Sequence, residues 1–231
     1  MNRLIPFLLL TCLSFSLLHA QIKPEPPIAE LRGAWIASVA NIDWPSSPNL
    51  SPDKQKMEFD SILSVLKSMG MNAVFVQIRP AADALYPTKL APWSKYLTGK
   101  QGVAPSPEYD PLEYMVKATH ARRMEFHAWL NPYRATVDLD TVNLGPTHPM
   151  KTLSADRKKQ WFFRYGNKYY FNPANALVVK YLENVVREVV TRYDVDGIHF
   201  DDYFYPYPEQ GQSLDDYDQF ASDPHGFSNI Y

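Results

Sequence analysis

The 231-residue chain contains one cysteine, Cys12, and no long basic run. Cys12 lies in an N-terminal segment that we expect to be removed, so the mature chain is predicted to have neither a disulfide framework nor a thiolate site. The formal net charge of -2 argues against a nucleic-acid partner, because nucleic acids are usually bound by a concentrated positive face. The composition therefore disfavours disulfide-dependent folds, thiol chemistry and nucleic-acid binding.

Two groups of motifs are also missing. No glycine-rich turn follows the first predicted strand, so the fingerprint of dinucleotide binding is absent. The histidines lack the spacing of an HExxH-type metal site. We therefore predict a protein without a cofactor and without a bound metal ion.

Residues 1–20 have the pattern of a secretory signal peptide. A short positive segment with Arg3 precedes an apolar run over residues 4–18, and a cleavage site follows Ala20. The apolar run is too short and too poorly flanked for a membrane span, so we expect no stable span after cleavage. A lipid-attachment box needs a small residue directly before its cysteine, and Thr11 occupies that position before Cys12. We therefore expect simple cleavage rather than lipoprotein anchoring. The sequence predicts export to the periplasm or the extracellular space.

A proline-rich leader over residues 21–30 precedes a repeating pattern of strands and helices. Alternating elements of this kind favour a parallel α/β architecture, as a doubly wound sheet or a barrel. Polar residues at the carboxyl end of each strand favour a (β/α)8 barrel of the TIM type. Such a barrel typically needs ~250 residues, so residues 31–231 are predicted to be its N-terminal portion, truncated after about four strands. The predicted strands cover residues 31–38, 72–79, 125–133 and 197–203, and the predicted helices cover 53–69, 111–123 and 174–193.

Polar and apolar residues alternate along three of these strands. Successive side chains of a strand point to opposite faces, so the polar residues of each strand share one face. In a parallel barrel this face points into the barrel, and chemistry is carried out at the carboxyl ends of the strands. The aligned polar residues are Gln77 and Arg79; His127, Trp129 and Asn131; and His199, Asp201 and Tyr203.

Asp201 is the preferred catalytic carboxylate, with Asp202 in reserve. The parity places Asp201 beside His199 on the inner face, whereas Asp202 would face the helices or the following loop. A simple loop-capping role is the alternative for both acids. Aromatic side chains suit sugar rings, although plain packing explains any single one as well. The predicted substrate contacts are Arg79, His127, Trp129, Asn131, Tyr133, Arg134, His199, Tyr203 and Tyr205.

Glycoside hydrolysis usually needs a second carboxylate. Residues 201 and 202 point to opposite faces and cannot easily share the two roles. Asp43, Asp83 and the acids of residues 209–218 are weak candidates. Strands beyond residue 231 are the expected source of the partner acid.

Five ordered motifs closely resemble the glycosyl hydrolase-like 10 family, a bacterial envelope family of TIM-barrel proteins. They are LRGAWIASVANIDWP, NAVFVQIRPAADALY, HAWLNPYR, YYFNPAN and DGIHFDDYFYPYP. The resemblance runs from about Leu31 to the C-terminus and implies a glycan substrate, with some members similar to enzymes that cut peptidoglycan strands stripped of their stem peptides. The last motif also resembles the fourth strand of α-amylase-type barrels, which implies that Asp201 is the nucleophile.

Three alternatives remain open from the sequence. A non-catalytic glycan-binding protein would bind saccharides without turnover. A metal-dependent hydrolase or deacetylase would use His127 and His199. The chain would otherwise be an inactive truncated fragment.

Overall fold

The computed structural model of the protein describes residues 30–201. The predicted signal peptide and the leader before Glu30 lie outside these residues. The predicted site residues Asp202, Tyr203 and Tyr205 lie outside them as well.

The main sheet has four parallel strands, which neighbour one another in the order in which they occur along the chain. A parallel pair of strands needs a crossover connection, usually a helix, and the sequence supplies one between each pair. This arrangement confirms the predicted α/β fold of the TIM-barrel type, present here as a partial barrel. The strands are β1 (Gly33–Ile36), β2 (Ala73–Arg79), β3 (Glu125–Leu130) and β6 (Gly197–Phe200).

Three long helices lie in the connections between successive strands of this sheet. Each begins at a polar residue whose side chain accepts a hydrogen bond from a backbone N–H of the first turn, namely Ser51, Asp110 and Asn175. Such caps satisfy amide groups that the helix itself leaves unpaired. The helices are α1 (Pro52–Ser68), α3 (Pro111–His120) and α6 (Ala176–Arg192).

Several short elements occur where the sequence predicts only loops. Three are short helices, and two form an antiparallel hairpin whose turn contains Gly166 at a φ of 55°. A hairpin turn of this kind needs positive φ, which glycine adopts without steric cost. The elements are α2 (Lys95–Thr98), α4 (Pro149–Thr152), α5 (Ala155–Trp161), β4 (Phe162–Tyr165) and β5 (Lys168–Phe171).

The two faces of the main sheet have different chemistry. Most side chains on the face toward the helices are apolar and buried, and each fully buried Val, Leu, Ile, Phe or Met side chain stabilises the fold by about 1.5–3 kcal/mol. The opposite face carries Trp35, Phe75, His127, Trp129 and His199, whose rings contact one another. The buried core includes Phe59, Leu63, Val74, Val76, Ile78, Leu112, Met115, Phe126 and Ala128. Gln77, His127 and His199 therefore lie on the inner face of the partial barrel. In the part of the chain that the structure describes, no helix is long and apolar enough to cross a membrane.

Candidate active site

Asp201 and Asn131 meet at the carboxyl end of the sheet. Asn131 follows β3, Asp201 follows β6, and Asn131 Nδ2 donates a hydrogen bond to Asp201 Oδ2. The two residues leave neighbouring parallel strands, so the end of the sheet brings them together. The alternation along the strands predicted this pairing. The catalytic role of Asp201 remains a prediction.

Gln77 of β2 extends this pair into a row of three. Gln77 Nε2 donates to Asn131 Oδ1 at 2.5 Å. Gln77 Oε1 accepts from the backbone N–H groups of Ser38 at 3.0 Å and Val39 at 2.8 Å. Gln77 and Asn131 are each only 1% exposed. Gln77 is absent from the predicted site residues, although its alternation with buried apolar neighbours in β2 is the signal that reveals it.

His199 lies two residues before Asp201, among aromatic rings on the inner face. Trp35 Nε1 donates to His199 Nε2 at 3.1 Å, and the rings of Phe75 and Trp129 lie at 5.1 and 6.2 Å from the imidazole. Burial lowers the pKa of His199, while the charge of Asp201 opposes this shift. A nitrogen that accepts a hydrogen bond carries no proton, so the neutral imidazole holds its proton on Nδ1.

His127 lies deeper in the partial barrel than the sequence predicts. Its Nε2 is 2.9 Å from Glu125 Oε2, and its ring is 4.7 Å from the ring of Phe75. Four residues of β-strand separate it from Asn131, which corresponds to about 13 Å. His127 therefore shares the inner face with Asn131 but lies farther from the carboxyl end of the sheet, and its contact with substrate stays a prediction.

Arg79 also departs from its predicted position. Gln77 pairs with Trp129 and Arg79 pairs with Leu130, so the register shifts by one residue between them. An irregularity of this kind turns the following side chain to the other face. Arg79 is 0% exposed, and its guanidinium donates to Asp83 O and to Tyr181 Oη of α6, both at 3.3 Å. Arg79 therefore faces the helices, which corrects the prediction that it projects into the barrel mouth; its contact with a sugar stays a prediction.

The residues after β3 divide between two locations. Tyr133 packs against the cluster around Trp161 and lines an apolar groove with Leu182 of α6, on the helix side of the sheet. Arg134 donates to Pro80 O at 3.3 Å, which ties the loop after β3 to the loop after β2. The predicted convergence of Tyr133 on Asp201 is corrected, because the chain turns outward after Asn131. Trp129 stays on the inner face, and its buried Nε1 has no hydrogen-bond partner within residues 30–201.

A pocket of about 330 Å³ opens between the loops that follow β2 and β3. Asp83, one of the weak candidates for the second carboxylate, lies buried in its wall and accepts from the backbone N–H of Ala81 at 3.1 Å. Burial raises the pKa of the Asp83 carboxyl, while hydrogen bonds and the charge of Arg79 oppose this shift. The other polar residues of the wall are Lys95, Tyr96, Lys100, Gln101, Thr136, Asp138, Asp140 and Asn143.

Two further predictions concern Asp43 and a metal centre. Asp43 Oδ2 accepts from the backbone N–H of Ala37 at 2.8 Å, so this carboxylate shapes the turn after β1. Among the side chains that the structure describes, no group of three His, Cys, Asp or Glu residues is placed to hold a metal ion. His127 and His199 therefore belong to no such group there.

The chain is similar in sequence to two proteins named as glycosyl hydrolases. The chain is 48% identical over 205 residues to "Glycosyl hydrolase YngK" of Bacillus subtilis (strain 168), covering 87% of the chain and 38% of that protein. It is 37% identical over 188 residues to "Glycosyl hydrolase DigH" of Escherichia coli (strain K12), covering 76% of the chain and 42% of that protein. The chain thus spans less than half of the length of either relative.

A solved structure supports the fold. α-L-Fucosidase isoenzyme 2 from Paenibacillus thiaminolyticus superposes with a TM-score of 0.50 at 16% identity, covering 85% of this chain and 26% of that one. A likeness at this identity concerns the fold alone. The family model described as glycosyl hydrolase-like 10 matches residues 30–230, the stretch that contains all five sequence motifs. The resemblance inferred from those motifs is confirmed, and the chain belongs to the glycosyl hydrolase-like 10 family.

Proposed function

We propose that this protein is a glycoside hydrolase in which Asp201 is the nucleophile or base. The observation that carries the proposal is the hydrogen bond from Asn131 to Asp201 at the carboxyl end of a parallel sheet. That end of a TIM-type barrel is where catalytic groups are found. The names of the two curated relatives support the same class of reaction.

The mechanism follows from the chemistry of a carboxylate beside a glycosidic bond. The N–H donor of Asn131 favours the ionised form of Asp201, which a nucleophile or base requires. Asp201 then attacks the anomeric carbon or activates water, through an oxocarbenium-like transition state. His199 stays neutral behind it, because burial lowers its pKa, so it adds no positive charge to the site.

The second carboxylate of this mechanism is proposed to come from the sequence after residue 201. Asp83 serves poorly, because its carboxylate is already engaged by Ala81 and by the side chains of Ser94 and Gln101. A general acid must be free to give its proton to the leaving oxygen. Asp202 remains the reserve candidate for the role of Asp201 and is not proposed as its partner acid, because adjacent residues of a strand point to opposite faces.

The proposed substrate is a polysaccharide of the bacterial envelope, with peptidoglycan glycan strands as the leading example. The pocket between the loops after β2 and β3 offers Tyr96 as an aromatic wall and Lys95 and Asp138 as polar groups at its edge. Aromatic faces combined with hydrogen-bonding groups suit sugar rings. Export of the chain by residues 1–20 is part of the same proposal.

The test is cleavage of glycan strands by the 231-residue chain. The probes are peptidoglycan strands freed of peptides by an amidase, and chitin oligosaccharides. Asp201→Asn is expected to lower the rate by about 10²–10⁴-fold while binding persists. Asp194→Asn is the matched control, because this carboxylate precedes β6 and is 97% exposed. Cleavage that survives Asp201→Asn would refute the assignment, and binding without turnover by the unaltered chain would identify a glycan-binding protein.

A further inference from the structure

The backbone at the end of β1 determines which way round the side-chain amide of Gln77 is oriented. The N–H groups of Ser38 and Val39 both donate to Gln77 Oε1, and Ser38 Oγ lies 3.4 Å from the same oxygen. A backbone N–H can only donate a hydrogen bond, so the oxygen of the Gln77 amide must face the end of β1. The amide nitrogen must then face away from β1.

The orientation of the Gln77 amide determines the orientation of the Asn131 amide, and with it the atom that faces Asp201. Gln77 Nε2 is a donor, so the atom of Asn131 that it meets must be the oxygen Oδ1. The nitrogen Nδ2 of Asn131 is left to face Asp201 Oδ2. Amide orientations are usually assigned by choice between two rotations, but here each is determined by the one before it.

We propose that Gln77 is a positioning residue for the Asp201 carboxylate and acts through Asn131. This inference rests on the proposed function, since it concerns the same carboxylate. Three consequences follow from the fixed direction. Asp201 always meets an N–H donor at Oδ2. A proton on Oδ2 would oppose that donor, so the row favours the ionised carboxylate and disfavours a role as general acid. The loop after β1 also becomes part of the support of the site.

The row is buried, which strengthens its effect on Asp201. Ser38, Gln77 and Asn131 are each only 1% exposed, so water cannot replace a lost donor or acceptor at low cost. Hydrogen bonds in such an environment are stronger than in water, and neighbouring bonds polarise one another. Replacement of one atom in the Gln77 side chain is therefore expected to change the protonation equilibrium of Asp201, although Asn131 lies between the two residues.

The informative variant is Gln77→Glu, which replaces one nitrogen by oxygen. The new carboxylate still accepts from Ser38 and Val39 but has no donor for Asn131. The Asn131 amide is then expected to rotate and to present its oxygen to Asp201. The measurement is the titration midpoint of the Asp201 carboxyl by 13C NMR of Asp-labelled protein, with the signal assigned from Asp201→Asn. The midpoint is expected to rise by about 1–3 pH units, as it does when a carboxylate loses a donor and gains a negative neighbour.

Gln55→Glu is the matched control. Gln55 is also buried and donates to backbone carbonyls, to Leu97 O at 2.9 Å and to Leu50 O at 3.2 Å, but it lies in α1 outside the row. This variant is expected to lower thermal stability without moving the Asp201 midpoint. If Gln77→Glu does not fold, Gln77→Met removes the donor without adding charge, and a smaller rise is expected.

The outcomes separate this inference from the proposed function. An unmoved Asp201 midpoint in a folded Gln77 variant would overturn the positioning role, whatever the glycan assays give. A raised midpoint supports it even if no glycan is cleaved, and that combination would refute only the hydrolase proposal. Where cleavage is observed, the acid limb of the pH profile of kcat/KM is expected to move with the midpoint, and KM is expected to change less than kcat. An equal fall of activity at every pH, as from a loss of folded protein, would contradict the inference.

Discussion

The imidazole of His127 lies directly against the α-carbon of Gly197. The two residues are partners in the register of β3 and β6, and a β-carbon added at position 197 would come within 2.4 Å of His127 Nδ1. The imidazole cannot move aside freely, because Glu125 holds its Nε2 and Phe75 packs on its ring. The start of β6, and with it the position of Asp201 four residues later, therefore depends on a glycine.

Gly197→Ala is expected to destabilise the fold by about 1–3 kcal/mol, the usual cost of extra volume in a packed interior. The measurement is urea unfolding of the 231-residue chain. His127→Ala added to Gly197→Ala is expected to recover part of the loss, because it removes the ring that the new methyl group meets. If the stability losses of the two single variants simply add in the double variant, the contact with His127 is not the reason that residue 197 must be glycine.

The hydrogen bond from Trp35 to His199 leads to a second prediction. Trp35 Nε1 donates to the lone pair of His199 Nε2, and this bond exists only with the neutral imidazole. Trp35→Phe removes the donor and keeps an aromatic ring in place. We expect the pKa of His199, which burial holds below its ordinary value, to rise in this variant. NMR titration of the imidazole measures the change, and an unchanged or lower pKa would contradict the assigned donor.

The sequence predicted the parts of the fold and site that follow from regular alternation. Residues of one parity in β3 and β6 do share a face, so Asn131 and Asp201 come together as expected. The four parallel strands and the three long helices were also evident, because their apolar periodicity and caps are local signals. The Gln77 side chain belongs to the same pattern.

The remaining errors come from features that alternation does not encode. The register shift after Gln77 reverses the face of Arg79, and nothing in the residues of β2 signals it. Alternation alone gives the face that His127 shares with Asn131, whereas its distance from the carboxyl end of the sheet follows from the four-residue spacing between them. The hairpin of β4 and β5 was hidden inside a long connection, although aromatic residues flanking Gly166 are a usable signal.

The pocket between the loops after β2 and β3 is the basis of a third prediction. Lys95 Nζ lies 3.6 Å from Asp138 Oδ2 across the pocket, so the two loops present opposite charges to a ligand. If a sugar unit binds there, Lys95→Met is expected to raise KM for glycan strands several-fold with kcat unchanged, because a contact made equally to the bound substrate and to the transition state changes KM alone. Lys117→Met, on the exposed side of α3, is the control. A fall in kcat at constant KM would place Lys95 in a different role.

Buried His148 makes the stability of the chain depend on pH. His148 Nδ1 accepts from the backbone N–H of Met150 at 3.1 Å, and Nε2 lies 3.1 Å from Ala135 O, so the neutral imidazole joins α4 to the loop after β3. Burial lowers the pKa of His148 to about 4 from its ordinary value of 6.5. The folded state therefore binds fewer protons than the unfolded state between these two values.

Acid is expected to destabilise the folded state through protonation of His148. The stability that neutral His148 provides is fully present above pH 6.5 and is lost as the pH falls toward about 4, by about 3 kcal/mol at most. His148→Gln cannot titrate, so its free energy of unfolding is expected to be lower at pH 7 but to vary less between pH 6.5 and 4. Urea unfolding of both proteins across this range measures the difference. Parallel pH profiles for the two proteins would show that the imidazole is not the titrating group, since every other acid and base is common to both.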